Sequence, residues 1–408
     1  MNNYYPCDSR MMRGSTLFLT VILLTLSGCQ GVESNHQKNV NKAESRWKDA
    51  RGALLLQAAQ RQFDAGDLTQ STKTLGDAIN YDPTNAKLHL LAGRISLERG
   101  RLERCFRQLE MAAQLDSKLS AVPYYQGLVQ QRWQKYERAR DFYIKASELE
   151  ADNVAYVLAV AEMELSLHQE DAALQRLLAK VKYFDQNAGI RVAVAVIYRM
   201  QLDYINAISY YRQANLLAPD ALGTLEELAR TLVDAGRRGE AVEVYEQLLR
   251  NDEYTSRVDV QYSLARCYQQ THELTKARNL YDQMRQRHPQ EIEAWVGLGN
   301  VALKQQDIRT ALMAGNRLQT LSPDRHEGYL IAGLCWYQRG QPERAAQMFS
   351  RAAQLMPESA QPFILQGLSL EQLGKFQAAA QAYAQAIGRE PEDQRARDLL
   401  TRLSAITP

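Results

Sequence analysis

The feature that most constrains this chain is a spacing. Prolines stand at positions 289, 323, 357 and 391, each 34 residues after the last, and Pro83 and Pro219 lie 136 apart, four times that interval. Only the step from Pro219 to Pro289, at 70, departs, by two residues. A unit this short cannot bury its own apolar face, so a fixed period of this size means one supersecondary element copied and stacked many times. Strand-like alternation is absent, Ala, Gln, Leu and Arg are abundant, and the prolines fall where helices must end. The period is that of a helical hairpin.

Units beginning at 52, 86, 120, 154, 188, 222, 258, 292, 326 and 360 bring independent positions into one register. The eighth place reads Ala59, Gly93, Gly127, Ala161, Ala195, Ala229, Ala265, Gly299, Gly333 and Gly367. The twentieth is Ser71, Cys105 and then alanine throughout. Antiparallel helices whose axes approach closely need small residues at the crossing. The twenty-fourth place carries bulky knobs such as Leu109, Tyr143, Tyr281 and Tyr383, and Gly66, Gly100, Gly236, Gly340 and Gly374 recur where the first helix stops.

This pattern resembles the tetratricopeptide repeat over residues 52–391. The resemblance implies an all-α solenoid, a superhelix of about ten helix–turn–helix repeats that serves protein binding. Residues 392–408, with the amphipathic stretch Arg395 to Leu403, read as a C-terminal capping helix. Some units depart from the pattern. The fourth has Glu164, Lys180 and Asp185 where aromatic, small and proline residues are usual, and the eighth puts Gly315 in the knob position. The two-residue insertion predicts a hinge around Tyr254 to Arg257, with Gly315 as the rival weak point.

The N-terminus reads as an address. Arg10 and Arg13 precede the apolar run Leu17–Leu26, whose ten residues would span roughly 15 Å as helix, half of a ~30 Å hydrocarbon core. That describes a secretory signal over residues 1–28, for which Met11 or Met12 would give a start of more typical length. The run Leu26-Ser27-Gly28-Cys29 resembles the bacterial lipobox, which implies a diacylated Cys29 as the mature N-terminus and a membrane anchor. Several acyl chains, at about 0.8 kcal/mol per buried methylene, would hold the protein on lipid. Gln30, rather than Asp, after the cysteine favours the outer membrane, facing the periplasm, by resemblance to enterobacterial lipoproteins. Residues 29–51 are expected to be a lipidated tether.

Chemistry is hard to find in the rest. The formal charge of +2 falls to +1 without the leader, and there is no basic stripe, which argues against nucleic acid. The six histidines are scattered, so no metal site is expected. Gly297-Leu298-Gly299 lacks the strand and third glycine of a dinucleotide fingerprint. We expect no catalytic residues, no cofactor and no small-molecule substrate. Cys105, at a small crossing position, reads as a buried thiol, and Cys267 and Cys335, two units apart, are too distant for a disulfide.

In tetratricopeptide proteins the first helix of each unit lines a concave groove. Carried onto this chain, the third to fifth units supply Tyr124, Leu128, Leu158, Leu165, Val192 and Val196, an apolar strip expected to hold a protein partner. The sixth and seventh supply a charged stretch including Glu226, Arg230, Asp234, Asp259, Tyr262 and Arg266, and the ninth adds Tyr337. The Lys and Asn places of the carboxylate clamp are not matched in three consecutive units: Asn300 and Lys304 are followed by Ile331 and Leu365. The expected function is an envelope scaffold that assembles a multiprotein machine, the alternative an adaptor delivering a periplasmic hydrolase or protease to its substrate.

Overall fold

The computed structural model describes residues 35–406, which form 22 α-helices and no strand. They fall into two compact units. The described part of the first runs from Asn35 to Leu177, that of the second from Leu178 to Ile406.

The first unit contains α1 (Asn35–Asp64), α2 (Leu68–Tyr81), α3 (Ala86–Glu98), α4 (Leu102–Leu115), α5 (Ala121–Arg132), α6 (Tyr136–Leu149), α7 (Val154–Ser166) and the start of α8 (Glu170–Val181). The rest of α8 belongs to the second unit, with α9 (Ala188–Met200), α10 (Tyr204–Leu217), α11 (Leu222–Asp234), α12 (Arg238–Leu248), α13 (Asp252–Thr255), α14 (Val258–Gln270), α15 (Leu274–Arg287), α16 (Ile292–Lys304), α17 (Ile308–Leu321), α18 (Glu327–Gln338), α19 (Pro342–Leu355), α20 (Ala360–Gln372), α21 (Phe376–Arg389) and α22 (Gln394–Ile406).

Each hairpin closes on the same turn chemistry. The ten described residues with positive φ are Gly66, Gly100, Gln134, His168, Leu202, Gly236, His272, Gln306, Gly340 and Gly374. They are the fifteenth place of all ten units, so the turn demands this conformation whether or not glycine supplies it. At Gly236 the turn is a Schellman motif: its N–H donates to Val233 O at 3.0 Å and that of Arg237 to Leu232 O at 2.8 Å. Leu202 and Asp203 repeat the geometry on Arg199 and Tyr198. The second helix then opens under a carboxylate where the chain provides one. Asp67, Asp203 and Asp307 accept from the backbone N–H three residues on, at 2.9, 3.1 and 3.1 Å.

The hairpins are held by the small-against-large crossings. Gly127 faces the Tyr143 ring, Gly333 that of Phe349 and Gly367 that of Tyr383, so closely that an added Cβ would sit 2.4–2.7 Å from ring carbons. Glu164, which departs from the aromatic habit of its place, is buried and receives a two-pronged grip from Arg176, whose Nη2 lies 2.7 Å and Nε 3.1 Å from its oxygens. In the second unit one continuous core runs from Ala195 to Cys335. At the end, Ala396 and Leu403 of α22 are buried, and Leu399 and Leu400 pack beside Ala379 and Tyr383 of α21.

Three expectations need correction. The segment read as a tether is helical from Asn35, because α1 runs unbroken for 30 residues. Its first half is polar and exposed, and the helix nucleated by the packed second half propagates through it without needing an apolar stripe there. Gly315 is no weak point. A Cβ there would lie 3.0 Å from Ala332 N and 3.1 Å from Gly328 O, so α17 and α18 meet backbone to backbone and leave no room for a knob.

The hinge expected at Tyr254 to Arg257 is instead a bonded junction. The inserted residues form α13 and bury Tyr254, whose hydroxyl donates to Glu226 Oε2 at 3.0 Å. Arg257 donates to both oxygens of the same carboxylate, at 2.6 and 3.0 Å. The division between compact units lies elsewhere, at Leu177 and Leu178 in the irregular fourth repeat.

Candidate protein-binding faces

Within each unit, first helices of successive hairpins lie beside one another, α1 against α3 and α3 against α5, α14 against α16 and α16 against α18. Their outward residues therefore form continuous faces.

In the first unit this face holds a recess of about 510 Å³ between α1 and α3. Its floor is Ala53, Leu56, Leu90 and Leu91, and its rim carries Arg61, Lys87 and Arg94 with no carboxylate. Arg94 is positioned by its neighbours: it stacks over Phe63 at 4.6 Å and Tyr125 at 5.5 Å, and donates to Gln60 Oε1 at 3.3 Å. The sequence reading missed this recess, although Leu56, Gln60, Leu90 and Arg94 occupy the same places, fifth and ninth, that it used in later units.

Tyr124 and Leu128 on α5, and Leu158 and Leu165 on α7, are half-buried. Tyr124 is as much a packing residue as a presented one, with ring centroids of Tyr125, Tyr143 and Tyr156 at 5.4, 5.5 and 5.0 Å. Val192 and Val196 lie one turn apart on α9, in the second unit, half-buried against its core. The six residues expected as one strip thus divide between the two units.

The second unit presents a polar ladder. Buried Glu226 on α11 is the hub, taking Tyr254 and Arg257 as above and Arg230 from one turn on. Burial opposes its charge, but the bonds from Arg257 and Tyr254 and the positive charge of Arg230 outweigh it, so its carboxyl is held below the usual range. Glu227 ties α11 to Arg199 of α9 at 3.3 Å. Tyr262 on α14 donates to Glu293 Oε2 on α16 at 3.2 Å, and Arg325 before α18 reaches Glu293 Oε1 at 2.9 Å. Arg266 stands exposed, its guanidinium 5.8 Å over the Tyr262 ring. Tyr337 on α18 is half-buried. Of the residues expected here, Arg230 pairs with Glu226 and Glu227 on its own helix, and Arg266 and Tyr262 lie together on α14. The sequence reading missed Arg257 and Arg325 because they sit just before their helices, outside the groove places.

Cys29 lies outside the described residues. Cys105, Cys267 and Cys335 are buried and unpaired, and burial pushes the thiols of Cys105 and Cys335 up to about 11. Among the described residues no three His, Cys, Asp or Glu side chains converge on a metal-sized site, and no helix is long and apolar enough to cross a membrane.

Comparison with known proteins agrees with this architecture. A tetratricopeptide-repeat family model matches residues 226–292 and 262–326, and the model for anaphase-promoting complex, cyclosome, subunit 3 matches residues 304–386. A curated relative, BBSome complex member BBS4 of Xenopus tropicalis, is 26% identical over 133 residues, 33% of this chain and 25% of its own length. The chain therefore spans about a quarter of that relative. Solved structures that resemble it include Pseudomonas aeruginosa pilF, with 17% identity, 52% of this chain and 96% of that one covered and a TM-score of 0.45. Another is a tetratricopeptide repeat protein from Parabacteroides merdae, with 16% identity, 61% and 97% covered and a TM-score of 0.45. Residues 226–326 carry tetratricopeptide repeats, and the units before and after them share their register, their small crossing residues and their positive-φ turns.

Proposed function

We propose that this protein is a lipid-anchored scaffold of a bacterial envelope, facing the periplasm from the outer membrane and holding a protein partner on its first-helix faces. It would serve assembly of a multiprotein machine such as a pilus or secretin, the outer-membrane protein insertion apparatus or an exopolysaccharide exporter. The observation that carries the binding role is the construction of the molecule: the described hairpins, the eighth excepted, repeat one small-against-large packing solution, while the outward side of the first helices varies. There the first unit offers an apolar recess with a basic rim and the second a row of paired charges with Arg266 exposed over the half-buried Tyr262 ring. Such a face suits an extended peptide or a partner helix. An adaptor that delivers a periplasmic hydrolase would use the same face transiently.

The envelope part of the reading rests on Arg10, Arg13, the Leu17–Leu26 run and the Leu26-Ser27-Gly28-Cys29 sequence. Its test is Cys29→Ser. The variant should appear unprocessed or soluble, and a variant that still fractionates with membranes after losing the same leader would refute the anchor.

A further inference from the structure

The first unit carries a second recess, away from its first-helix face, between the second helices α4 and α6. Its volume is about 610 Å³. Three rings wall it: Phe106 on α4, Trp133 just past α5, and Phe142 on α6. The Phe106 centroid lies 5.7 Å from that of Trp133 and 6.1 Å from that of Phe142. Lys135, Arg138 and Lys145 surround the opening. The one acid there, Asp141, is already paired with Arg140 at 3.2 Å. None of the three cations has a carboxylate within ion-pair distance among the described residues, and Lys135 lies over the Trp133 ring at 4.9 Å.

One further side chain makes this more than an apolar hollow. Gln130, from the last turn of α5, lines the recess, is only 4% exposed, and has a buried Oε1 with no hydrogen-bond partner. Native interiors rarely leave such an oxygen unsatisfied.

We propose that this recess takes a tryptophan or tyrosine side chain presented by an acidic segment of a protein partner. The chemistry of the walls selects each part of that ligand. A ring packs offset or edge-on against Phe106, Trp133 and Phe142. Its indole N–H or phenol O–H supplies the donor that Gln130 Oε1 lacks, once the amide turns its oxygen from the interior into the recess. Carboxylates flanking it in the segment meet Lys135, Arg138 and Lys145. An anionic lipid surface would answer the cations but brings no ring to pack between Phe106, Trp133 and Phe142. The site is separate from the first-helix faces, so it stands or falls independently of the function proposed above.

The test uses the full-length chain and two fluorescein-labelled peptides, Asp-Glu-Trp-Glu-Asp and Asp-Glu-Ala-Glu-Asp, read by fluorescence polarisation. The tryptophan peptide should bind at least tenfold more tightly. Gln130→Met removes the acceptor at similar length and should weaken that binding at least tenfold while leaving the melting temperature unchanged or raised. Arg138→Glu with Lys145→Glu should abolish it. Equal binding of the two peptides, or binding untouched by these substitutions, overturns the proposal. So does absence of peptide binding, including the case where the chain sediments with phosphatidylglycerol vesicles and the charge-reversed variant does not, which would assign the recess to lipid.

Discussion

The sharpest single perturbation is Gly315→Leu, because the repeat pattern and the packing predict opposite results. Other units put Leu, Tyr or Phe at this place, so restoring the knob should stabilise the eighth unit, and replacing a mid-helix glycine by itself adds about 0.5–1 kcal/mol. The packing reverses the sign. The first atom added would press on Ala332 N at 3.0 Å, Gly328 O at 3.1 Å and Ala332 Cβ at 3.3 Å, and two of these belong to backbone that cannot swing aside. Gly328 is fitted as tightly from the other side, where an added Cβ would lie 2.8 Å from Leu318 Cβ and 3.0 Å from Gly315 O. Overpacking of this kind costs about 1–3 kcal/mol. A leucine adds three more carbons against the same wall, which places the overpacking cost at the upper end and leaves a net loss of about 2 kcal/mol, with Gly315→Ala smaller. Because a repeat array need not unfold in one step, the assay is urea unfolding followed locally, by fluorescence of Trp336 on α18 in a chain whose other tryptophans are phenylalanine. A midpoint unchanged or raised by Gly315→Leu would refute the close crossing.

Limited trypsin digestion should leave the bond after Arg257 intact, and Glu226→Gln should expose it, since the hub loses its charge and weakens its hold on Arg257 and Tyr254. First cleavage at that bond in the unaltered protein would restore the hinge. Leu202→Gly should leave stability level or raise it by up to about 1 kcal/mol in thermal unfolding, because Leu202 is exposed at φ 61° and relief of that conformation, about 1–2 kcal/mol, outweighs the flexibility glycine adds to the unfolded chain. A clear loss would contradict the turn geometry. Asp307 is held at about 2 by bonds from the Thr310 hydroxyl and N–H and from Arg278, so its contribution is complete above the unfolded value near 4 and is lost as pH falls through 2. The melting temperature should therefore fall from pH 5 to pH 2, less steeply in Asp307→Asn; identical slopes would refute the assignment.

The sequence made the repeat legible because its signals are local and multiplied: a glycine or alanine at each crossing, a proline after six of the ten second helices, a turn glycine in half the units. The same signals fail where two elements solve a problem jointly. Gly315 looked like a missing knob because its reason, Gly328 on the next helix, lies outside its own repeat place. The insertion looked like slack because nothing local announces that Tyr254 and Arg257 reach back to Glu226, about 30 residues earlier. Tyr124 falls in the apolar strip by its place in the repeat, and three neighbouring tyrosines, two of them on other helices, occupy much of its ring. The recess at Arg94 is legible in the same way as the repeat, from Leu56, Gln60, Leu90 and Arg94 at the fifth and ninth places of the first two units.

The central claim is that the first-helix faces are where this protein holds its partner. It is tested most directly by placing a photo-crosslinking amino acid in living cells at Arg266 and, separately, at Leu216, an exposed residue of α10 that lies on a second helix. The account predicts that light captures one discrete protein from Arg266, identified by mass spectrometry, and that Leu216, at equal expression, captures none. A discrete adduct from Leu216 with none from Arg266 would contradict it.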